Sequence, residues 1–148
     1  MVADAWIFYN TFREYMADGT IDLDGDTFLM GLVTSAYTPD YENHSVLSDI
    51  TNEVSGYGYA RDTLSCTWVR STTTVTFDSD DGVYTASGGS IVCRRAFIYD
   101  DTPSSPTDPL ACLSLLDNTP ADVTVTDGNS LTVEIHTSGI FTLTGGSS

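Results

Sequence analysis

The sequence predicts a mainly β fold, an antiparallel β-sandwich or barrel of about seven or eight short strands with one short N-terminal helix. Three observations carry that expectation. From Tyr57 onward the chain breaks into short runs rich in Thr, Val, Ile and Phe, among them STTTVTF, SIVCRRAFIY and GIFTLT. Turn formers separate them: DSDDG at 78–82, SGG at 87–89, DDTPSSPTDP at 100–109 and TDGN at 126–129. Helical spacing is strongest near the N-terminus, over about residues 5–17. With 148 residues and 41% apolar content, the chain suits one domain, residues 1–148, with a real hydrophobic core.

In order along the chain, Trp6, Tyr9, Phe12 and Met16 fall near one helical face, and Asp18-Gly19 supplies a natural C-terminal stop. TFLMGLVTS, residues 27–35, reads as a strand buried on both faces. Residues 36–58 form a long connection rich in turn formers, with one helical turn near Ser45 to Asp49. The β region covers about 59–144: YARDTL, STTTVTF, SIVCRRAFIY, LACLSLL, DVTV, LTVEIHT and GIFTLT. Within VTVTDGNSLTVEI, Asp127-Gly128 lies between two alternating runs, as a hairpin turn requires. Residues 145–148, GGSS, read as a flexible tail.

The charge balance narrows the partners. Twenty-one acidic residues stand against five basic ones, all arginine, for a net charge of −16. Affinity for DNA or RNA comes mainly from Lys and Arg displacing phosphate counterions, so nucleic acid is an improbable partner. An anionic membrane surface would repel the chain too, and no apolar run reaches the length of a membrane span. MVADAWIFYNTFREYM has neither a basic start nor a long apolar run, so it does not read as a secretion signal, and synthesis in the cytoplasm is expected. Cys66, Cys93 and Cys112 lie in strand-like segments without CxxC spacing and read as reduced core thiols.

Each candidate for chemistry has a simpler reading beside it. DLDGD places Asp22, Asp24 and Asp26 at positions 1, 3 and 5 of a calcium loop. The glycine then falls at position 4 instead of 6, and Val33 occupies position 12 where a Glu is required. The stretch therefore reads as a turn feeding a strand. His44 and His136 have no HxH or HExxH spacing, and no GxSxG elbow is present. No catalytic, metal or cofactor-binding residue is assigned. The candidates for partner contact are the basic doublet Arg94-Arg95 and the tyrosines Tyr37, Tyr41, Tyr57 and Tyr59, with an internal salt bridge as the simpler reading for the arginines and filling of the core edge as the commoner one for the tyrosines. In a strand, Arg94 and Arg95 would point to opposite faces, one of them inward or into an interface.

Several segments taken together carry a resemblance. YNTFREYMADGTIDL, LVTSAYTPD, LSDITNEVSGYGYA, FIYDDTPSSPTDPLACLSLLD and the closing SGIFTLT resemble small virion structural proteins of tailed bacteriophages, over nearly the whole chain. That resemblance implies a non-enzymatic particle protein, foremost a capsid decoration or cement protein on the outer shell. Its implied partners are the major capsid protein and further copies of itself as a homotrimer. The alternative is a receptor- or glycan-binding module on the head or tail, supported by the Tyr-rich stretch 37–59. A hydrolase hidden in a β fold has only unanchored carboxylates in its favour.

Overall fold

The structure is a computed structural model that describes residues 3–145. It is mainly β and sandwich-like, with twelve strands and one α-helix among the described residues. The central sheet has five antiparallel strands in the order β1-β9-β8-β2-β3: β1 Ile7–Phe8, β9 Leu110–Leu115, β8 Arg95–Asp100, β2 Phe28–Val33 and β3 Asp62–Thr63. β2, β8 and β9 are almost wholly buried, which explains why each reads as a near-continuous apolar run rather than an alternation.

Each face of this sheet is covered differently. One face packs Phe28, Met30, Leu32 and Ile98 against Phe77, Tyr84, Ile91 and Val133 from three smaller sheets. Those sheets pair β7 Ile91–Cys93 with β10 Val123–Val125, β6 Gly82–Thr85 with β11 Ser130–Val133, and β5 Thr74–Ser79 with both β4 Cys66–Ser71 and β12 Phe141–Thr144. The opposite face carries Val33, Phe97, Tyr99, Leu110 and Leu113, covered by Tyr9, Tyr37, Tyr41, Leu47 and Ile50. The connection 36–58 is therefore a lid over the smaller of the two core clusters, and it contains the expected helical turn as a 3-10 turn at Leu47–Asp49. The Asp49 carboxylate fastens that turn by accepting the Ser45 and Val46 N–H groups at 2.8 and 3.1 Å. Gly31 permits the close approach of the two central strands: a Cβ there would lie 2.3 Å from Phe97 Cζ.

Several expectations need correction. The helix α1 spans Asn10–Ala17, not 5–17, because Ile7 and Phe8 pair with Leu113 and Cys112 on the edge of β9. Its end lies where expected, with the Asp18 N–H donating to Glu14 O and Gly19 at φ 81°. The 126–129 turn forms, with Asn129 N–H donating to Thr126 O, but its flanking strands do not pair with each other. The turn docks sideways on residues 86–88: Gly128 N–H donates to Ala86 O, and Asp127 Oδ1 accepts the Gly88 N–H. That attachment sends β10 to β7 and β11 to β6. SIVCRRAFIY is two strands broken at Arg94, and β4 and β6 are additional strands. Cys93 and Cys112 are buried and Cys66 is half-buried, all three as free thiols. Of the proposed tail, residues 146–148 lie outside the described residues.

Candidate interaction surface

The tyrosines and arginines expected to meet a partner are mostly spent on internal contacts. Tyr37 is 1% exposed, and its hydroxyl stands between Tyr9 Oη and His44 Nδ1, 2.8 Å from each. Burial raises the Tyr37 phenol and pushes the Tyr9 phenol well above its ordinary range, so both stay neutral. Tyr37 is thus a core residue of the lid and offers no ring to a partner, which corrects the expectation. Tyr41 is half-buried and packs on Tyr9 with ring centroids 5.4 Å apart. Tyr59 stacks on Tyr84 at 5.9 Å, donates its hydroxyl hydrogen to Glu53 Oε1 and accepts the Leu32 N–H.

Arg94 and Arg95 do not share a strand, so the opposite-faces argument does not apply to them. Arg94 Nε donates to Asp122 Oδ1 at 2.9 Å, and Arg95 Nη1 donates to the Tyr37 carbonyl at 3.3 Å. Both brace the ends of β7 and β8 against neighbouring segments. Of the six candidates, Tyr57 alone has an exposed ring, at 54%. Gly56, Tyr57 and Gly58 all have positive φ, and the Tyr57 ring lies so close to Gly89 that a Cβ there would be 2.3 Å from it. Left-handed geometry at an aromatic residue is costly, so surrounding contacts must hold this turn.

A polar cleft of about 430 Å³ lies beside the lid, lined by Leu47, Ile50, Glu53, Arg61, Thr107 and Asp108 with Ser48. Its charges largely satisfy one another. Arg61 holds Glu53 bidentately through Nε at 2.8 Å and Nη2 at 2.7 Å, and its Nη1 donates to Tyr99 Oη at 3.3 Å. Burial pulls the Glu53 carboxyl upward, but hydrogen bonds from Arg61 and Tyr59 outweigh it and leave the group below its ordinary value. Asp108 is raised by burial and by the nearby Asp101.

The Asp22–Asp26 stretch closes on itself as a turn. Asp22 Oδ1 accepts the Asp24 N–H at 3.0 Å, and Asp26 Oδ2 accepts the Asp22 N–H at 2.8 Å. Asp26 also faces a residue that sequence reading assigned to a loop. Asp100 ends β8, is 0% exposed, and accepts the Thr102 N–H on Oδ1. As a carboxylate its Oδ2 would have no donor; as a carboxyl it donates to Asp26. Burial, followed by the hydrogen bond with Asp26, pushes Asp100 up to about 8, so Asp100 keeps its proton at neutral pH. Among the described residues no group of three or more His, Cys, Asp and Glu side chains is arranged to hold a metal ion.

Among the described residues, Ile7, Val83 and Val92 are exposed singly on strands of other sheets, while the three-stranded sheet gathers three exposed apolar side chains. Trp68 is 44% exposed, Val69 62% and Leu143 43%, although each lies in a regular strand. Residues facing the core alternate along β4 and β5, so Cys66 and Phe77 start over the core. Farther along, Trp68, Val75 and Leu143 overhang the end of α1 and the Asp22–Asp24 turn, leaving a groove of about 310 Å³. The other face of the same sheet is a threonine lattice, with Thr76 opposite Thr142 and Thr74 opposite Thr144, and Val69, paired with Thr76, lies on that face and not on the groove side. Sequence reading missed this surface because β4 is a strand with five exposed residues, and its only signal was the isolated pair Trp68-Val69. Comparisons with protein-family models, curated proteins and solved structures find no match for the chain.

Proposed function

We propose that this protein is a non-enzymatic structural component of a bacteriophage particle, a decoration or cement protein that binds major capsid proteins on the outer shell. The observation that carries the reading is the contrast between charged and apolar surface. Most arginines and tyrosines are turned to internal contacts, while a regular sheet exposes Trp68, Val69 and Leu143. Exposed apolar side chains on ordered strands favour work by surface contact. The resemblance of LVTSAYTPD, LSDITNEVSGYGYA and SGIFTLT to virion proteins supplies the setting.

On a shell, a homotrimer would engage several capsid subunits at once, so modest single contacts would add through effective concentration. Binding the assembled shell and not its dissociated subunits would stabilise the particle by mass action. A net charge of −16 would then face solvent. The test is the copy number per purified virion, by quantitative mass spectrometry against the major capsid protein. A fixed stoichiometric ratio to the capsid protein supports cement; absence from virions overturns the reading.

A second reading, a receptor- or glycan-binding module, is favoured by one observation, the exposed Tyr57 ring on its left-handed turn. A handful of copies per virion, with glycan-array binding lost on Tyr57→Ala, would select it.

A further inference from the structure

The groove under the three-stranded sheet has a definite chemical character. Its roof is Trp68, Val75 and Leu143, one residue from each strand, and its floor is Met16 and Leu23 with the buried Ile21. At its rim stand Asp22 and Asp24, both exposed. Beside it, β4 is one of the two edge strands of its sheet, the other being β12. Among the described residues no backbone hydrogen bond reaches the outer edge of Cys66–Ser71. An apolar slot, carboxylates at its mouth and an open strand edge are the elements of extended-peptide recognition, in which main-chain bonds add affinity and pockets select side chains.

We propose that this groove docks an extended segment of a partner protein that carries an apolar side chain flanked by Lys or Arg. The apolar side chain enters between Trp68 and Leu23, and the basic groups meet Asp22 and Asp24. The inference rests on the reading of the chain as a contact protein and specifies the chemistry of its partner.

Charge selects this occupant over a second copy of the chain. Four of the five arginines are engaged: Arg61 and Arg94 in ion pairs, Arg95 on the Tyr37 carbonyl, and Arg13 4.9 Å over the Phe8 ring; the fifth, Arg70, is exposed on β4 across from Val75, outside the groove lining and away from the Asp22–Asp24 rim. A second copy therefore has little positive charge to offer the rim, whereas a basic segment is drawn in by it.

The test is an NMR titration of the full isotope-labelled chain with two synthetic peptides. In one, a leucine stands between lysines in an alternating sequence; in the other, glutamates replace the lysines. The lysine peptide is expected to shift the amides of Cys66–Ser71 and Ile21–Asp24, with affinity falling as salt rises. The Asp22→Asn/Asp24→Asn double variant and, separately, Trp68→Ala should each weaken it by about tenfold. No response at these amides, equal response to both peptides, or self-association through β4 would overturn the proposal. The copy-number experiment reports separately: groove binding without virion association overturns the particle reading and leaves the groove, whereas virion association without groove binding does the reverse.

Discussion

The five-stranded and three-stranded sheets are built from similar residues and end in opposite situations. β2, β8 and β9 are covered on both faces, by the smaller sheets on one side and by the 36–58 lid on the other. β4 and β12 are nearly bare, with exposed residues along most of their length. The difference teaches that strand formation and burial are separable: backbone pairing in register makes all three strands of the outer sheet, yet only its inner end, at Phe77 and Phe141, joins the core. Stability should therefore reside in the central sheet and contact in the outer one.

The largest expected effect breaks the central sheet. Phe97 is fully buried and sits over Gly31, so Phe97→Ala should cost about 3–5 kcal/mol in chemical denaturation. Gly31→Ala should be destabilising as well, because its Cβ would clash with the Phe97 ring at 2.3 Å. If either variant unfolds at the wild-type midpoint, the central sheet is not where stability resides.

Next in size is a pH effect at the join between β8 and the Asp22–Asp26 turn. Asp100 has a folded pKa of about 8 against an ordinary 3.8, so over that window the folded chain keeps a proton that the unfolded chain has released. Its contribution is fully present below about pH 4, declines as pH rises, and is lost above about 8. The swing should exceed about 1 kcal/mol. Asp100→Asn keeps a donor for Asp26 without a titrating group, so its stability relative to wild type should climb across the same window. An unchanged difference from low to high pH would contradict the proton retained on Asp100.

How much of this was legible follows from how far apart the partners lie. The strand at 28–33 could be read because its apolar run needs no distant information, and the end of α1 because Asp18-Gly19 is a local signal. The Asp127-Gly128 turn was legible, but its hairpin was not, since the competing pairs β10-β7 and β11-β6 bridge about thirty to fifty residues. Phe8 stands four residues before Phe12, a helical spacing, and only the free edge of β9 makes Ile7 and Phe8 a strand. Tyr37 looked like a surface ring in a loop; it is buried because that loop covers a sheet face. Asp100 reads as the start of a turn-rich stretch and is the last residue of a central strand. The outer groove was invisible because α1, the Asp22–Asp24 turn and three strands all contribute to it.

A smaller effect sharpens the account of the lid. Glu53 gathers Arg61 and Tyr59 at a half-exposed site, so Glu53→Ala should cost about 1 kcal/mol after allowance for solvent screening. Because this carboxyl is held below its ordinary value, its contribution is present at neutral pH and lost as pH falls through the folded pKa. The measurement is the wild-type to variant difference in denaturation midpoint at neutral and acidic pH, and it should shrink in acid. The smallest effect belongs to the outer sheet: Trp68→Ala should change stability by about 1 kcal/mol or less, since the side chain is 44% exposed.

That last variant allows the most direct test of the central claim, that the outer sheet is for contact and not for stability. The measurement is the number of copies of this protein retained per purified virion, wild type against Trp68→Ala, with thermal unfolding of both isolated chains alongside. The account predicts near-equal melting and a wild-type chain in fixed ratio to the capsid protein, with the variant largely lost from the particle. Full retention of the variant would contradict it.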